Sequence, residues 1–250
     1  MKKTDLFQKL VNDSYEFKGW DFGYLTKSGR MQSFPLNWNY TNLILPFLKN
    51  CETLLDMGTG GGEFLATLQP LPQFTYATEC YKPNVQVAKD TLEPLGPRVV
   101  ELDNQHELPF KNNFFDLVIN RHEEFSSLEV KRILKNGGYF ITQQVGGLSG
   151  QELNTILNAP PYTYCDFNFQ DILSDVLAAK LKVKYKNEQL SKTRFYDIES
   201  IVYYLKAIPW QLAGFSIDKY IDELYNLHQL IKKKGYFDIT SHRFVIVATK

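Results

Sequence analysis

LLDMGTGGGEFL, residues 54–65, is the stretch on which the reading turns. The apolar run TLLDM (53–57) reads as a short buried strand. It ends in three alternating glycines, Gly58, Gly60 and Gly62, after which EFL resumes with helical character. Glycine permits the tight turn and lets the backbone come close to a ligand. A helix that starts after such a loop presents N–H groups that no helical carbonyl uses. Strand, loop and helix together form a unit suited to the nucleoside part of a cofactor.

Outward from this unit, strand and helix signals alternate. FTYATE (74–79), RVVELD (98–103), FFDLVIN (114–120) and YFITQQV (139–145) read as strands. Between them, NVQVAKDTLEPL (84–95) and SLEVKRIL (127–134) are helical, the second stopping at Asn136-Gly137-Gly138. Upstream, NYTNLILPFLK (39–49) is a helix disturbed at Pro46. Residues 1–35 suggest a short helix followed by irregular chain. Such alternation means an α/β fold with a mainly parallel sheet and helices on both faces, as in doubly wound folds. Further on, QELNTILN and FQDILSDVLAAKL are helical, and KVKYKNEQLSKTRFYD (182–197) has strand character at its two ends. Two helical stretches, 198–208 and 217–234, flank Pro209, and HRFVIVATK closes the chain as a strand. The expected organisation is one domain over 1–250, with an N-terminal extension at 1–38 and a helical insertion at 198–234.

The composition agrees with a globular chain. Of 250 residues, 44% are hydrophobic and 22% charged, enough for a sizeable core. Lys plus Arg and Asp plus Glu both number 28, so the net charge is zero, which argues against a nucleic-acid partner. Cys51, Cys80 and Cys165 are scattered and form no C-x-x-C pair, so no metal site or disulfide framework is expected. No secretory leader pattern and no membrane-length apolar run is visible, and a cytoplasmic location is expected.

The loop itself narrows the cofactor. Read as G-x-G-x-x-G from Gly58, the third glycine position holds Glu63. A glutamate there opposes the close packing and the pyrophosphate of a dinucleotide. The D-x-G-x-G-x-G form from Asp56 suits a cofactor without phosphates. Glu79, at the end of the next strand, is placed to take both hydroxyls of a ribose, or is a solvated loop carboxylate. Asp103 and Asn104 end the third strand, where a polar side chain can meet an adenine amino group or simply cap a turn.

LLDMGTGGGEFL, Glu79, LDNQHELPFKNNFFDLVIN and EVKRILKNGGYFI, in that order, resemble the successive motifs of class I S-adenosylmethionine-dependent methyltransferases. The resemblance covers about residues 40–145, with a flavour of the quinone-biosynthesis type. INRHEEF, ITQQVGG, RFYDIESIVYYLKAIPW and SHRFVIVATK resemble a less-studied branch. It implies a seven-stranded, mostly parallel, Rossmann-like sheet and S-adenosylmethionine as cofactor. It also implies Asp56, Gly58, Thr59, Gly60 and Gly62 along the methionine part, Glu79 on the ribose, Asp103 or Asn104 at the adenine, and Asn120 near the methyl group. The family's spacing to Leu-Pro-Phe leaves the choice between Asp103 and Asn104 open.

Methyl transfer from a sulfonium is an in-line displacement, so the protein's part is mainly proximity and alignment. Candidates for further chemistry follow the fourth strand of that alternation. His122 is a candidate base and Glu123 a group to orient it or bind an amine. Arg121 suits a carboxylate or phosphate on the acceptor. A solvated loop with internal ion pairs is the competing reading. Gln143 and Gln144 lie on the next strand and should face opposite ways. His106 reads as a loop residue and His228 as helix surface. Tyr203 and Trp210, in the aromatic insertion, are candidates for lining an acceptor pocket, or the rings pack the insertion down. Lys180, Lys182, Lys184 and Lys186 alternate as a solvated strand face or a basic patch. A small-molecule acceptor is the expected partner. An RNA or protein methyltransferase and a non-catalytic cofactor-binding module are the alternatives.

Overall fold

The computed structural model describes Phe7, residues 22–104 and residues 106–250. The helix expected near the chain start falls mostly outside that set. The elements are α1 (Gly23–Lys27), β1 (Met31–Ser33), α2 (Tyr40–Leu48), β2 (Thr53–Met57), α3 (Glu63–Ala66), β3 (Phe74–Glu79), α4 (Lys82–Leu92) and β4 (Arg98–Glu101). There follow β5 (Phe115–Arg121), α5 (Ser127–Ile133), β6 (Leu134–Val145), α6 (Gln151–Ile156) and α7 (Phe169–Ala178). The last are β7 (Lys182–Phe195), α8 (Ile198–Ala207), α9 (Ile221–Lys234) and β8 (Phe237–Thr249).

The strands form one sheet in the order β1-β7-β8-β6-β5-β2-β3-β4. β4, β3, β2, β5 and β6 are parallel neighbours, and β8 runs antiparallel to β6. The fold is thus α/β with a mostly parallel sheet as expected, but among the described residues the sheet has eight strands and not seven. The extra strand is β1, from the segment read as irregular: Met31 pairs with Phe195 and Ser33 with Thr193, antiparallel. β7 is also one continuous strand where strand character was read only at the two ends. Its residues alternate between exposed and half-buried, so its polar side chains are the solvent face of a real strand.

By its contacts the chain divides into two compact units. The first comprises Met1–Leu36, Gly146–Phe167 and Leu190–His242, the second Asn37–Val145, Asn168–Gln189 and Arg243–Lys250.

The first unit has its own apolar core, in which α8 and α9 contribute Ile201, Val202, Leu205, Leu224, Leu227 and Ile231. α8 begins at an Asp197 cap whose carboxylate accepts from the Ser200 N–H at 2.7 Å. Arg194 makes a two-pronged ion pair with Asp238 (2.7 and 2.9 Å) and lies 3.5 Å from the Tyr236 ring centre. The Asp238 carboxyl is accordingly held below its usual range.

In the second unit β2 is buried at every position. It is fixed at its start by Asp116, whose Oδ2 accepts from the N–H groups of Glu52 and Thr53 and from the Thr53 hydroxyl. Lys135 donates to the other oxygen at 2.8 Å. Caps set the helix starts: Asn39 accepts from the Asn42 N–H and Ser126 from the Glu129 N–H. Pro46 sits inside α2 as expected.

Candidate functional site

The site lies where β2, β3 and β5 end, all within the second unit. The chain leaves β2 through Gly58 (φ +68°), Gly60 (φ +64°) and Gly62 (φ +84°), all left-handed. At Gly58 a Cβ would stand 2.2 Å from Glu123 Cγ, and at Gly62 one would stand 2.6 Å from Leu92 Cγ. Glycine is therefore needed at both positions for space as well as for torsion.

Two buried carboxylates hold the loop. Asp56, 3% exposed, accepts from the Thr59 hydroxyl at 2.8 Å. Burial raises its pKa to about 6 against the pull of Thr59 and Arg121, with Glu79 adding to the rise. Glu79, 4% exposed, accepts from the Gly60 N–H through Oε2 and from the Tyr81 N–H through Oε1, both at 2.7 Å. It thus ties the glycine loop to the turn after β3. Burial pushes its carboxyl up, and the N–H groups of Tyr81, Gly60 and Cys80 oppose that. Thr78 completes the clamp, its carbonyl taking the Thr59 N–H and its hydroxyl the Gly58 N–H.

Beyond β4, the Asn104 side chain accepts from the N–H groups of His106 and Glu107, which makes it a turn residue. Asp103 is exposed and makes no hydrogen bond to the described residues. His106 is exposed and 3.7 Å from the exposed Glu124. The Cys80 thiol is pushed up to about 11 by burial and then by Glu123, Glu79, Asp103 and Glu124, which places these four carboxylates around the end of β3.

Asn120 corrects an expectation. It is fully buried: its amide donates to the Met57 carbonyl at 3.3 Å, and its Oδ1 accepts from Thr142 (2.8 Å) and Gln144 (2.6 Å). Tyr40 closes the knot, donating to the carbonyls of Asn120 and Ile141 and accepting from the Asn120 N–H. The side chain therefore ties β5 to β2 and β6, with its amide used in these bonds.

After β5, Arg121 is exposed, with its guanidinium 5.0 Å from the Phe64 ring centre. His122 has φ +64°, a left-handed conformation that favours glycine, and its N–H donates to the Gln143 carbonyl at 2.8 Å. The residue is exposed overall, yet burial of the ring, followed by the Arg243 and Arg121 charges, pushes the imidazole well below the usual histidine range. Glu123 is half-buried, and burial, then Glu79 and Glu124, raises its pKa to about 7.

Gln143 and Gln144 both reach this loop, although neighbouring residues on a strand point to opposite faces. Gln144 donates to the Glu123 carbonyl at 2.9 Å. Gln143 bonds His122 with its amide nitrogen and accepts from the Trp38 indole at 2.9 Å. A loop that crosses over a strand end is within reach from either face. Two adjacent glutamines near the end of β6 carry a signal of this in the sequence; Trp38, Tyr40 and Arg243 carry none.

In the first unit, Tyr203 is 2% exposed and belongs to the apolar core, which corrects its reading as a pocket residue. Trp210 is half-buried, and its carbonyl accepts from the Thr163 N–H at 3.3 Å. His228 is a half-buried ring 5.3 Å from Phe7. Lys182, Lys184 and Lys186 line one exposed face of β7, and that row continues to Glu188. Among the described residues there is no group of three or more side chains that could hold a metal ion, and no helix is long and apolar enough to cross a membrane.

The donor set around the loop, Asp56, Glu79 and Glu123 with no Lys or Arg within residues 56–63, fits a cofactor bearing a cationic centre and no phosphate.

Residues 55–142 match the family model described as a methyltransferase domain. No curated protein matches the sequence. Among solved structures, a candidate methyltransferase of Bacillus halodurans shares the fold at TM-score 0.62 and 17% identity, over 85% of this chain and 98% of that one. A SAM-dependent methyltransferase of Aquifex aeolicus does so at TM-score 0.51 and 14% identity, over 99% and 98%. A geranyl diphosphate methyltransferase in complex with SAM does so at TM-score 0.50 and 12% identity, over 84% and 83%. Over residues 55–142 the chain thus matches a methyltransferase-domain model, on a fold that it shares with these solved structures.

Proposed function

We propose that this chain transfers the methyl group of S-adenosylmethionine to a small molecule through the site at the ends of β2, β3 and β5. The observation that carries this reading is the glycine loop drawn onto Glu79 and Asp56 in a field of carboxylates. The cofactor, when bound, supplies an already activated methyl group on a sulfonium. Asp56, Gly58, Thr59, Gly60 and Gly62 would hold its methionine part and Glu79 its ribose. Asp103 is the better partner for adenine, because the Asn104 side chain is spent on its own turn.

Glu123 lies against Gly58 and titrates near neutrality, so it can accept a proton from an acceptor that must lose one. Arg121 offers a guanidinium without a carboxylate in ion-pair range among the described residues, which suits an anionic group on the acceptor. The exposed row on β7 is broken by Glu188 and Leu190, which supports a small acceptor over an extended polyanion.

Calorimetry with S-adenosylmethionine and S-adenosylhomocysteine tests the reading: both should bind, and Gly60→Arg should abolish binding in a folded chain. Absence of binding by the wild type overturns it. A labelled-methyl screen across small-molecule extracts and RNA then separates the acceptor classes.

A further inference from the structure

We propose that Trp38 and Gln143 hold His122 as a neutral imidazole with its proton on Nδ1, and that this Nδ1–H, with the neighbouring Arg121, binds an oxyanion on the methyl acceptor. The inference deepens the methyltransferase reading and rests on it for the word acceptor. His122 is then a binding donor and not a base.

The Trp38 indole Nε1–H can only donate. It lies 2.9 Å from Gln143 Oε1, and both residues are buried. This fixes the orientation of the Gln143 amide, which a hydrogen-bond network otherwise has to decide. The amide NH2 must then face the other way, toward His122 Nε2 at 3.3 Å. An N–H group directed at a ring nitrogen requires a lone pair there. Nε2 is therefore unprotonated, and the proton of the neutral ring sits on Nδ1. An imidazolium would set N–H against N–H. Nδ1 has no hydrogen-bond partner among the described residues, and the residue is exposed.

The backbone keeps the ring in place. His122 holds a left-handed φ, pinned by its N–H bond to the Gln143 carbonyl, and Gln144 pins the next carbonyl. A conformation that disfavours a β-carbon persists only where its surroundings impose it, and such positions concentrate at functional sites. The nearby guanidiniums of Arg243 and Arg121 oppose a positive ring, in agreement with the neutral tautomer.

One fixed N–H donor next along the chain from the exposed Arg121 fork matches the lone pairs and charge of a carboxylate or phosphate. A basic nitrogen able to take a proton is absent from the arrangement, because the one lone pair of the ring already accepts from Gln143. Glu123, next along the chain, stays available for proton transfer.

The test is long-range 1H–15N NMR on the full chain labelled at histidine, with His122 assigned through His122→Asn. At neutral pH the expected pattern is a pyrrole-type Nδ1 and a pyridine-type Nε2. Trp38→Phe, which frees the Gln143 amide to turn over, should give mixed tautomers; Gln143→Leu should do the same if the first variant does not fold. An Nε2–H tautomer or an imidazolium in the wild type overturns the proposal, as does an unchanged tautomer in a folded variant.

In the second arm, inorganic phosphate and acetate are titrated separately at constant ionic strength. Either should shift the Nδ1–H signal, and the one that binds identifies the headgroup. Arg121→Met should weaken that binding roughly tenfold, the loss of one charge-assisted contact. No shift with either ion overturns oxyanion recognition. S-adenosylmethionine binding on the same samples keeps the two readings apart: it survives failure of this inference, whereas its absence sinks the methyltransferase reading whatever the tautomer.

Discussion

At Glu79 both carboxylate oxygens already accept backbone N–H groups, so one side chain shapes the loop and is also the proposed ribose partner. Glu79→Ala leaves two N–H groups without an acceptor. It should cost about 2 kcal/mol in urea unfolding and weaken S-adenosylmethionine roughly tenfold or more by calorimetry. Glu79→Gln should not rescue, because its NH2 would face one of the two donors. Glu123 gives a pH signature of opposite origin. Its folded pKa, about 7, lies above the ordinary glutamate value, so the folded state binds this proton more tightly than the unfolded one. The stability linked to it is present at low pH and is lost as pH rises toward about 7. Because the group is only half-buried, the penalty above neutrality should be about 1–2 kcal/mol, discounted for solvent screening. Glu123→Gln should recover that amount in melts at about pH 8 and change little at about pH 4. A variant equally stabilised at both would show that the carboxylate is not the cause.

At the scale of elements, the Leu-Pro-Phe segment before β5 is held by one clamp. Arg132 donates to both oxygens of Glu129 at 2.7 Å and to the carbonyls of Leu108 and Phe110, while Glu129 accepts from the Leu108 N–H. Arg132→Met should lower stability by about 2 kcal/mol in chemical denaturation, and Arg132→Lys should recover little, because only the guanidinium fork reaches all these oxygens. The central strands and helices were legible because their apolar runs have clear periods and the glycines mark their ends. Two strands were hidden for physical reasons. β1 is three residues long and gains its pairing only from Thr193–Phe195, far along the chain. β7 has a solvent face, so its alternation of Lys with Val and Tyr looks polar overall. In the site, the glycine pattern and Glu79 could be read because they are local. The use of Asn120 could not, since its partners Met57, Thr142 and Gln144 lie on two other strands. Nor could the tautomer of His122, which depends on an indole 84 positions earlier.

Over the whole molecule, the chain passes between its two units five times, at 36/37, 145/146, 167/168, 189/190 and 242/243, so neither unit is a continuous piece of sequence. β7 and β8 each run through both units. Two units that share strands in this way should lose structure together, as one cooperative transition. The residues proposed for the cofactor, Asp56 through Asp103, all belong to the second unit, while Leu224, with no exposed surface, sits in the core of the first. Leu224→Ala removes buried methyl groups and should cost about 2–5 kcal/mol. Ligand binding to the folded state adds a stabilisation set only by ligand concentration and affinity. If the cofactor is held by the second unit alone, a fixed concentration of S-adenosylmethionine should raise the unfolding free energy of Leu224→Ala and of the wild type by the same amount. Calorimetry on the folded variant should give an unchanged affinity. A smaller rise in the variant, with the chain still folded, would mean that the core around α8 and α9 takes part in holding the cofactor, and the assignment of that site to the second unit would fall.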